Sequence, residues 1–354
     1  MNKKIAFIMI NYKNYADRFL KESYESLQKI NYPKDCYRLY IVDNATSPET
    51  RARIKKLAPE AIVIPSDGNG WGHANNVGAR QAIQEGFADY FYLVNMDTKF
   101  DQACLNEAMK AMDSDGKIGA VQSKLLLYSP VNGEYLLNSK GNSLTFLGFS
   151  YCAGGGKRDD TPDKITDIVT ASGVGILIRK DVFLEIGMCD ESYFMYHDDI
   201  ELSFKTKILG YRVVLAPRSV IYHKHEFSRA VRQTFFMERN RLRFMLEFFK
   251  WPTLIIIFPA FIIMEIGMLP YAALNGWLLI KLKAYAYFLK PSNLRRVFLK
   301  RKGIKQLRKI SDKEMLRGVV GVIDFQQITN PVLKYIANPI FNLYWQIIRR
   351  LIIW

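Results

Sequence analysis

Over its first 125 residues the chain alternates short apolar runs with stretches whose apolar positions recur at helical spacing. Ile5–Ile10, Tyr37–Val42, Ala61–Ile64, Tyr90–Val94 and Gly119–Gln122 read as buried strands. Segments near 15–29, 47–57, 72–85 and 101–113 read as the helices between them. Such alternation predicts an α/β domain, a mainly parallel sheet covered by helices. Ligands of these sheets sit beyond the carboxyl ends of the strands. The polar residues there are Asn11, Asp43 with Asn44, Asp67 with Gly68, and the run Asn95, Met96, Asp97. Each alone is an ordinary loop or cap residue, but together they converge on one edge.

Residues 126–180 turn strand- and glycine-rich, with Gly154, Gly155 and Gly156 read as a mobile loop. A helix at 198–209, a strand pair near 212–223 and a long helix near 228–250 follow. Trp251–Leu289 is a largely apolar stretch: Thr253–Leu269 is nearly all apolar except Glu265, and Pro270 then interrupts before Tyr271–Leu289. Each piece approaches the roughly 20 residues that span a bilayer. A hairpin turning near Pro270 keeps both basic flanks on the cytoplasmic side, whether it crosses or dips partway; a pair of buried soluble helices is the other reading. Pro331–Trp354 mixes Tyr, Trp, Ile and Arg as an interfacial amphipathic helix does.

Charge sharpens this division. Residues 1–230 carry 29 Lys and Arg against 28 Asp and Glu, whereas residues 231–354 carry 21 against 6. Nearly all of the net +16 lies with the apolar stretches, which points to an anionic membrane surface and away from nucleic acid. The four cysteines have no metal-ligand or framework spacing and suit a reducing compartment. Ile5–Ile10 is too short for the apolar core of a signal peptide.

Candidate chemistry is carried by few residues. Asp97, ending a strand, can hold a hard divalent cation that neutralises a diphosphate, or can simply form a turn. Asp198, Asp199 and Glu201 open a helix. The helix dipole accounts for one or two of these carboxylates, while crowding raises the pKa of at least one toward what a general base requires. Tyr193, Phe194, Tyr196 and His197 form an aromatic approach to them. His223 ends a strand and is either a ligand or a satisfied structural residue. The run Asn69–Gly78 combines glycines with a helix start that favours anions, yet is neither a Walker loop nor GxGxxG. No Ser-His-Asp or Cys-His nucleophile stands out.

In order, these pieces resemble family 2 glycosyltransferases of the GT-A fold, in particular the rhamnosyltransferase-like branch. The resemblance runs over about residues 4–250. It is carried by Ile8–Tyr12, Ile41–Thr46, Asn69–Gly78, Leu93–Asp97, Ala171–Gly175, Phe194–Leu202, His223 and the run Arg239, Asn240, Arg241. It implies that Asn11, Asp43, Asn44, Asn75, Asn76, Gly78 and Asn95 line the donor pocket, and that Arg239 or Arg241 steadies the leaving diphosphate. It further implies that Asp97 and His223 hold Mn2+ or Mg2+, that Asp199 is the catalytic base, and that Gly173, Tyr196, Asp198 and Glu201 wall the site. The chain departs from the family pattern at Asn95, which replaces the first acid of DxD. It departs again at Asp198–Glu201, where Asp, Asp, Ile, Glu stands for Glu, Asp, x, Asp. The Gln-x-x-Arg-Trp motif of processive synthases is absent.

The expectation is an inverting, metal-dependent transferase at the cytoplasmic face of the cell membrane. Its donor would be dTDP-rhamnose, or failing that a UDP-sugar, and its acceptor a polyprenyl-diphosphate-linked or glycan acceptor of cell-envelope polysaccharide synthesis. Its expected parts are a transferase domain at 1–230, a connecting helix at 231–250, an apolar hairpin at 251–290 and basic amphipathic helices at 291–354. A nucleotidyltransferase and a non-catalytic nucleotide-sugar-binding module are the alternatives; the first would want a glycine-rich basic loop after the first strand, where Asn11, Tyr12, Lys13 and Asn14 stand.

Overall fold

A computed structural model describes residues 3–44, 46–68, 70–225, 233–324 and 330–354. Asn69 and the 228–232 start of the expected long helix lie outside the described residues. The chain forms two compact units: Met1–Asn142, Cys152–Thr206 and Tyr211–His225 in the first; Ser143–Tyr151, Lys207–Gly210 and Glu226–Trp354 in the second.

The first unit is built on β1 (Ile5–Tyr12), β2 (Tyr37–Asn44), β3 (Ile62–Ser66), β4 (Tyr90–Asn95), β5 (Thr98–Phe100), β6 (Ile118–Leu127) and β7 (Leu137–Ser139). A small ribbon, β8 (Asn142–Leu144) with β9 (Ser150–Cys152), belongs mostly to the second unit, and the first continues with β10 (Thr166–Asp167), β11 (Gly175–Arg179) and β12 (Arg212–His223). The main sheet runs β10-β12-β6-β11-β4-β1-β2-β3, with β5 on β12 and β7 on β6. β3, β2, β1 and β4 are mutually parallel, β11 is antiparallel to β4, and β6 and β12 are parallel to each other, so the sheet is mixed. The segment expected as a strand pair near 212–223 is one strand, broken by a register shift between Ala216 and Val220. That shift is why its two halves look separate in sequence: only the second half pairs with β5.

The helices are α1 (Lys21–Leu27), α2 (Pro48–Leu57), α3 (Trp71–Gln84), α4 (Cys104–Asp113), α5 (Lys180–Glu185) and α6 (Asp198–Ile208). Strands β1, β2 and β4 are buried along nearly their full length, as continuous apolar runs require when helices cover both faces. The Phe7 ring sits among Tyr37, Tyr92 and Phe100 at centroid distances of 4.9–5.8 Å.

The second unit carries α7 (Thr234–Phe248), α8 (Trp251–Leu274), α9 (Leu278–Leu289), α10 (Pro291–Leu307), α11 (Asp312–Met315) and α12 (Asn338–Ile348). α8 continues through Pro259 and Pro270, and the chain turns after Leu274, not near Pro270. Gly276, at φ 75°, makes that turn. α8 is the one described helix long and apolar enough to cross a membrane.

Candidate active site

At the carboxyl end of β4 the chain turns through Met96 and Asp97 into β5, and β5 lies antiparallel on the end of β12 with Thr98 opposite His223. That register brings Asp97 and His223 together: His223 Nε2 lies 3.4 Å from Asp97 Oδ1, and both side chains are buried. The Lys224 N–H donates to the Asp97 carbonyl (2.9 Å) and fixes the turn. On the other side of the ring, His223 Nδ1 is 2.9 Å from Oδ1 of buried Asn138, which β7 delivers through its pairing with β6. A carboxylate oxygen and an imidazole nitrogen this close, with the ring oriented by Asn138, are a pair of side chains that could share a divalent cation. Among the described residues no third His, Cys, Asp or Glu joins them. A cation here would therefore complete its shell with diphosphate oxygens and water.

The second centre is the start of α6. Asp199 Oδ2 accepts from the Gly173 N–H (3.0 Å) and Asn142 Nδ2 (3.4 Å), while Oδ1 accepts from the Ile200 N–H (2.9 Å). The 171–173 loop is itself pinned. Ser172 N–H donates to Gln122 Oε1, Ala171 N–H to Ser203 Oγ, and the Ser203 hydroxyl to the Asp199 carbonyl. Burial pushes the Asp199 carboxyl pKa up, against the lowering effect of its N–H partners. Burial, then the adjacent Asp199 charge, pushes Asp198 up as well. Asp198 Oδ1 accepts from the Asp199 N–H, and its buried Oδ2 has no hydrogen-bond partner among the described residues.

The two centres are physically linked. Val174, next to Gly173, accepts the Asn95 N–H at 3.2 Å, and Gly175 lies opposite Val94 in the ladder. The approach to α6 is strained: Phe194, Tyr196 and His197 have φ of 70°, 61° and 63°. Non-glycine residues held there cost of order 1 kcal/mol or more each and persist only where neighbours impose them. One such neighbour is α3, whose Trp71 N–H donates to the Phe194 carbonyl (3.0 Å). A Cβ on Gly70 would stand 2.8 Å from that oxygen. The Trp71 ring covers Gly173, where a Cβ would meet it at 3.0 Å.

The remaining expected residues fall into distinct environments. Asn11 Nδ2 donates to Asp43 Oδ1 (2.7 Å) across paired strand ends, and Asp43 also accepts from Thr46 and Arg51. Asn44 Nδ2 donates weakly to the Gly70 carbonyl (3.4 Å). Asn75 bonds back to Trp71 within α3, leaving its buried Oδ1 with no partner among the described residues. Asn76 clips α3 to the 189–191 turn, donating to the Cys189 carbonyl and Glu191 and accepting the Cys189 N–H. Gly78 lets α3 lie close on the sheet, since a Cβ would come within 2.6 Å of Ile8. Glu201 pairs with Lys205 one turn on (2.7 Å).

In the second unit, Arg239 bonds Asn240 and stacks near Phe236 and Tyr287. Arg241 is buried and bonded to Glu238 (3.0 Å) and Glu265 (2.6 Å), carboxylates that Lys281 also contacts. Its charge is neutralised inside that unit, which is not the setting expected of a cation free to meet a diphosphate.

Against families of known proteins, the profile for glycosyl transferase family 2 matches residues 7–187. The chain belongs to glycosyl transferase family 2. Its mixed sheet flanked by helices is the GT-A fold. Among curated relatives, a hexosyltransferase of low-salt glycan biosynthesis from Haloferax volcanii is 22% identical over 204 residues. That match takes in 57% of this chain and 61% of the relative, so the chain spans about three fifths of the curated relative's length. In fold it is similar to a mannosyltransferase from Pyrobaculum calidifontis in complex with GDP-Man and Mn2+, at TM-score 0.50 and 14% identity over 87% of this chain and 86% of that one. It is also similar to GalNAc-T7 with UDP, GalNAc and Mn2+, at TM-score 0.57 and 13% identity over 80% of this chain and 55% of that one.

For this family 2 chain, sequence reasoning missed Asn138, Asn142 and Trp71 as parts of the site. The first two sit on three-residue strands with no periodic signal. Trp71 was inside a run already singled out, and only its contact with Gly173 gives it a role.

Proposed function

We propose that this family 2 chain transfers a hexose from a nucleoside diphosphate to an acceptor hydroxyl by single displacement, inverting the anomeric centre. The observation that carries this reading is the path from Asp199 by hydrogen bond to Gly173, along the chain to Val174 and by hydrogen bond to Asn95, two residues before Asp97, which His223 contacts. It links a general base of raised pKa to a place suited to a diphosphate-bound cation.

Asp199 takes the acceptor proton at whichever oxygen it turns to the incoming hydroxyl, and its partners Gly173 and Asn142 hold the carboxylate in aim. Burial that raises its pKa makes it a better proton acceptor near neutrality. Asp43, braced by Asn11, Thr46 and Arg51 at the end of β2, would meet the donor's base. Asn44 and Asn95 end β2 and β4, and Asn75 lies in the first turns of α3; all three would serve the donor. Asp97 and His223 would hold Mn2+, which when bound offsets charge on the leaving diphosphate. Gly173, Tyr196 and Asp198 border the acceptor side. Asn76, Gly78 and Glu201 act through packing and clips, and Arg241 through its ion pairs within the second unit; the leaving-group role of Arg239 rests on the family resemblance alone.

For the donor, dTDP-rhamnose is to be compared with UDP- and GDP-sugars, since solved relatives in fold carry GDP-Man and UDP. The acceptor proposed is a polyprenyl-diphosphate-linked saccharide, met at the cytoplasmic face of the membrane. Asp199→Asn tests the base: kcat is expected to fall by roughly 10²–10⁴-fold with donor Kd within about twofold of wild type. Unchanged turnover removes Asp199 from the role.

A further inference from the structure

The second unit leaves a large apolar surface uncovered. On α8, Ile257, Ala260, Met264 and Glu265 are buried, whereas Ile255 (69% exposed), Phe258 (57%) and Ile266 (63%) project outward. Ile255, Phe258 and Ile266 lie within a narrow stripe at 100° per residue. α12 is divided in the same way: Phe341, Trp345 and Ile348 are buried, while Ile340, Leu343 and Ile347 are exposed and apolar. Outward apolar faces of this extent mark a surface that some partner covers.

α8 has 24 residues, a length of about 36 Å, so length alone would let it cross a bilayer. Its bonding does not fit a crossing. The Thr253 hydroxyl donates to Asp312 Oδ2, Trp354 Nε1 donates to Thr253 Oγ1 (2.8 Å), and the Tyr344 hydroxyl donates to the Ile256 carbonyl (2.6 Å). Midway along, Glu265 is tied to Arg241 and Lys281. The helix is thus fastened to the body of its own unit from Thr253 to Glu265. If it crossed, the Glu238, Arg241, Glu265 and Lys281 cluster would sit near the bilayer centre. α9, at 12 residues, is about 18 Å long and too short to bring the chain back. Yet α10, which follows α9, bonds to α7, which precedes α8: Arg301 Nη1 donates to the carbonyls of Leu246 and Phe249.

We propose that the second unit is monotopic, with α8 and α12 lying in the surface of one leaflet, their exposed apolar faces among the acyl chains and the surrounding Lys and Arg on anionic headgroups. Charge complementarity names the occupant. The segment from residue 231 onward carries 21 Lys and Arg against 6 Asp and Glu. Arg239, Arg241, Arg243 and Lys281 are buried, but Lys283, Lys290, Arg295, Arg296, Lys300 and Lys302 are exposed, and exposed cations on a unit with an apolar face fit an anionic bilayer. This deepens the membrane-side location proposed above.

The test uses the full chain with vesicles of phosphatidylcholine, alone and with phosphatidylglycerol. Binding is expected to require the anionic lipid, and Phe258→Asp with Ile266→Asp is expected to lower the bound fraction at least tenfold with Tm unchanged. Fluorescent labels on Ile255→Cys, Ile263→Cys or Leu274→Cys, each made with Cys36→Ser and Cys152→Ser, then read depth against shallow and deep lipid quenchers. All three at one shallow depth is the predicted result. A deep Ile263 label between shallow ends would show a crossing and overturn the monotopic mode while keeping the membrane location. A soluble dimer that ignores vesicles would overturn both, the face then being covered by a second copy. Nucleotide binding measured on the same samples keeps the catalytic reading separate from either result.

Discussion

The Val174 carbonyl accepts the Asn95 N–H at 3.2 Å. This one backbone bond joins the loop that holds Asp199 to the turn that holds Asp97. Asp199 and His223 lie on separate elements, α6 and β12, and neither is near Asp97 in sequence. The antiparallel insertion of β11 between β4 and β6 makes the join, because it carries Gly173 and Val174 to the carboxyl end of β4. In the proposed mechanism, a base at Asp199 and a cation at Asp97 and His223 on one frame would allow proton removal and leaving-group departure to be set in one geometry.

Asn138 should govern cation affinity without touching the cation. Its Oδ1 fixes the orientation of the His223 ring, and partners of this kind typically account for 10–100-fold in metal affinity. Asn138→Leu is therefore expected to weaken Mn2+ binding in the presence of a nucleoside diphosphate by roughly that factor, read by Mn2+ electron paramagnetic resonance. Asn138→Asp, which keeps the accepting oxygen, should restore much of it. Equal Mn2+ affinity in wild type and the Leu variant would give Asn138 a packing role only.

The pH dependence of stability should run opposite to that of a salt-bridged carboxylate. Burial raises Asp198, and the Asp199 charge raises it further, so the folded state keeps protons that the unfolded chain has released above about pH 4. Unfolding free energy therefore falls as pH rises from there until the folded carboxyls have ionised. Asp198→Asn removes the buried charge. It is expected to raise Tm relative to wild type at pH 8, with the difference shrinking to nothing below about pH 4. A Tm difference independent of pH would contradict this account. Activity moves the other way with pH, since the base must be deprotonated to work.

Arg241 offers a test of structure against chemistry. Removing one partner from a buried ion-pair cluster strands the others and typically costs about 3–5 kcal/mol. Arg241→Met is expected to lower stability on that scale, while nucleotide affinity per folded molecule stays at the wild-type value. A stable variant with weakened nucleotide binding would return Arg241 to the donor site.

How much of this was legible beforehand follows from which physical signal each residue carries. β1, β2 and β4 announce themselves because buried parallel strands are continuous apolar runs. Their ends place Asn11, Asp43 and Asp97 by simple continuation. Asp198 and Asp199 stand out as carboxylates crowded at a helix start. Illegible were pairings made only in three dimensions: β7 beside β6, which delivers Asn138, and the loop before β11, which delivers Gly173 to Asp199. Asn76, Gly78 and Glu201 sit in motif positions, but their partners Cys189, Ile8 and Lys205 show them occupied with clipping, close packing and ion pairing. The turn after α8 was misplaced because Pro270 reads as a break. An apolar helix tolerates proline when neighbours meet the freed backbone groups. Arg241 reads as an exposed motif cation until Glu238 and Glu265 are seen beside it.

The most direct test of the central claim is a thermal-shift panel of UDP, GDP and dTDP and their sugars, with Mn2+ and with chelator, on wild type and Asp97→Ala. A ligand that binds only the folded state raises its stability, by about 2.7 kcal/mol at one hundred times Kd. The account predicts that one nucleoside diphosphate stabilises the wild type selectively, that chelator abolishes the shift, and that Asp97→Ala loses it. A shift equal in chelator and in Asp97→Ala, or none with any nucleotide, would contradict it.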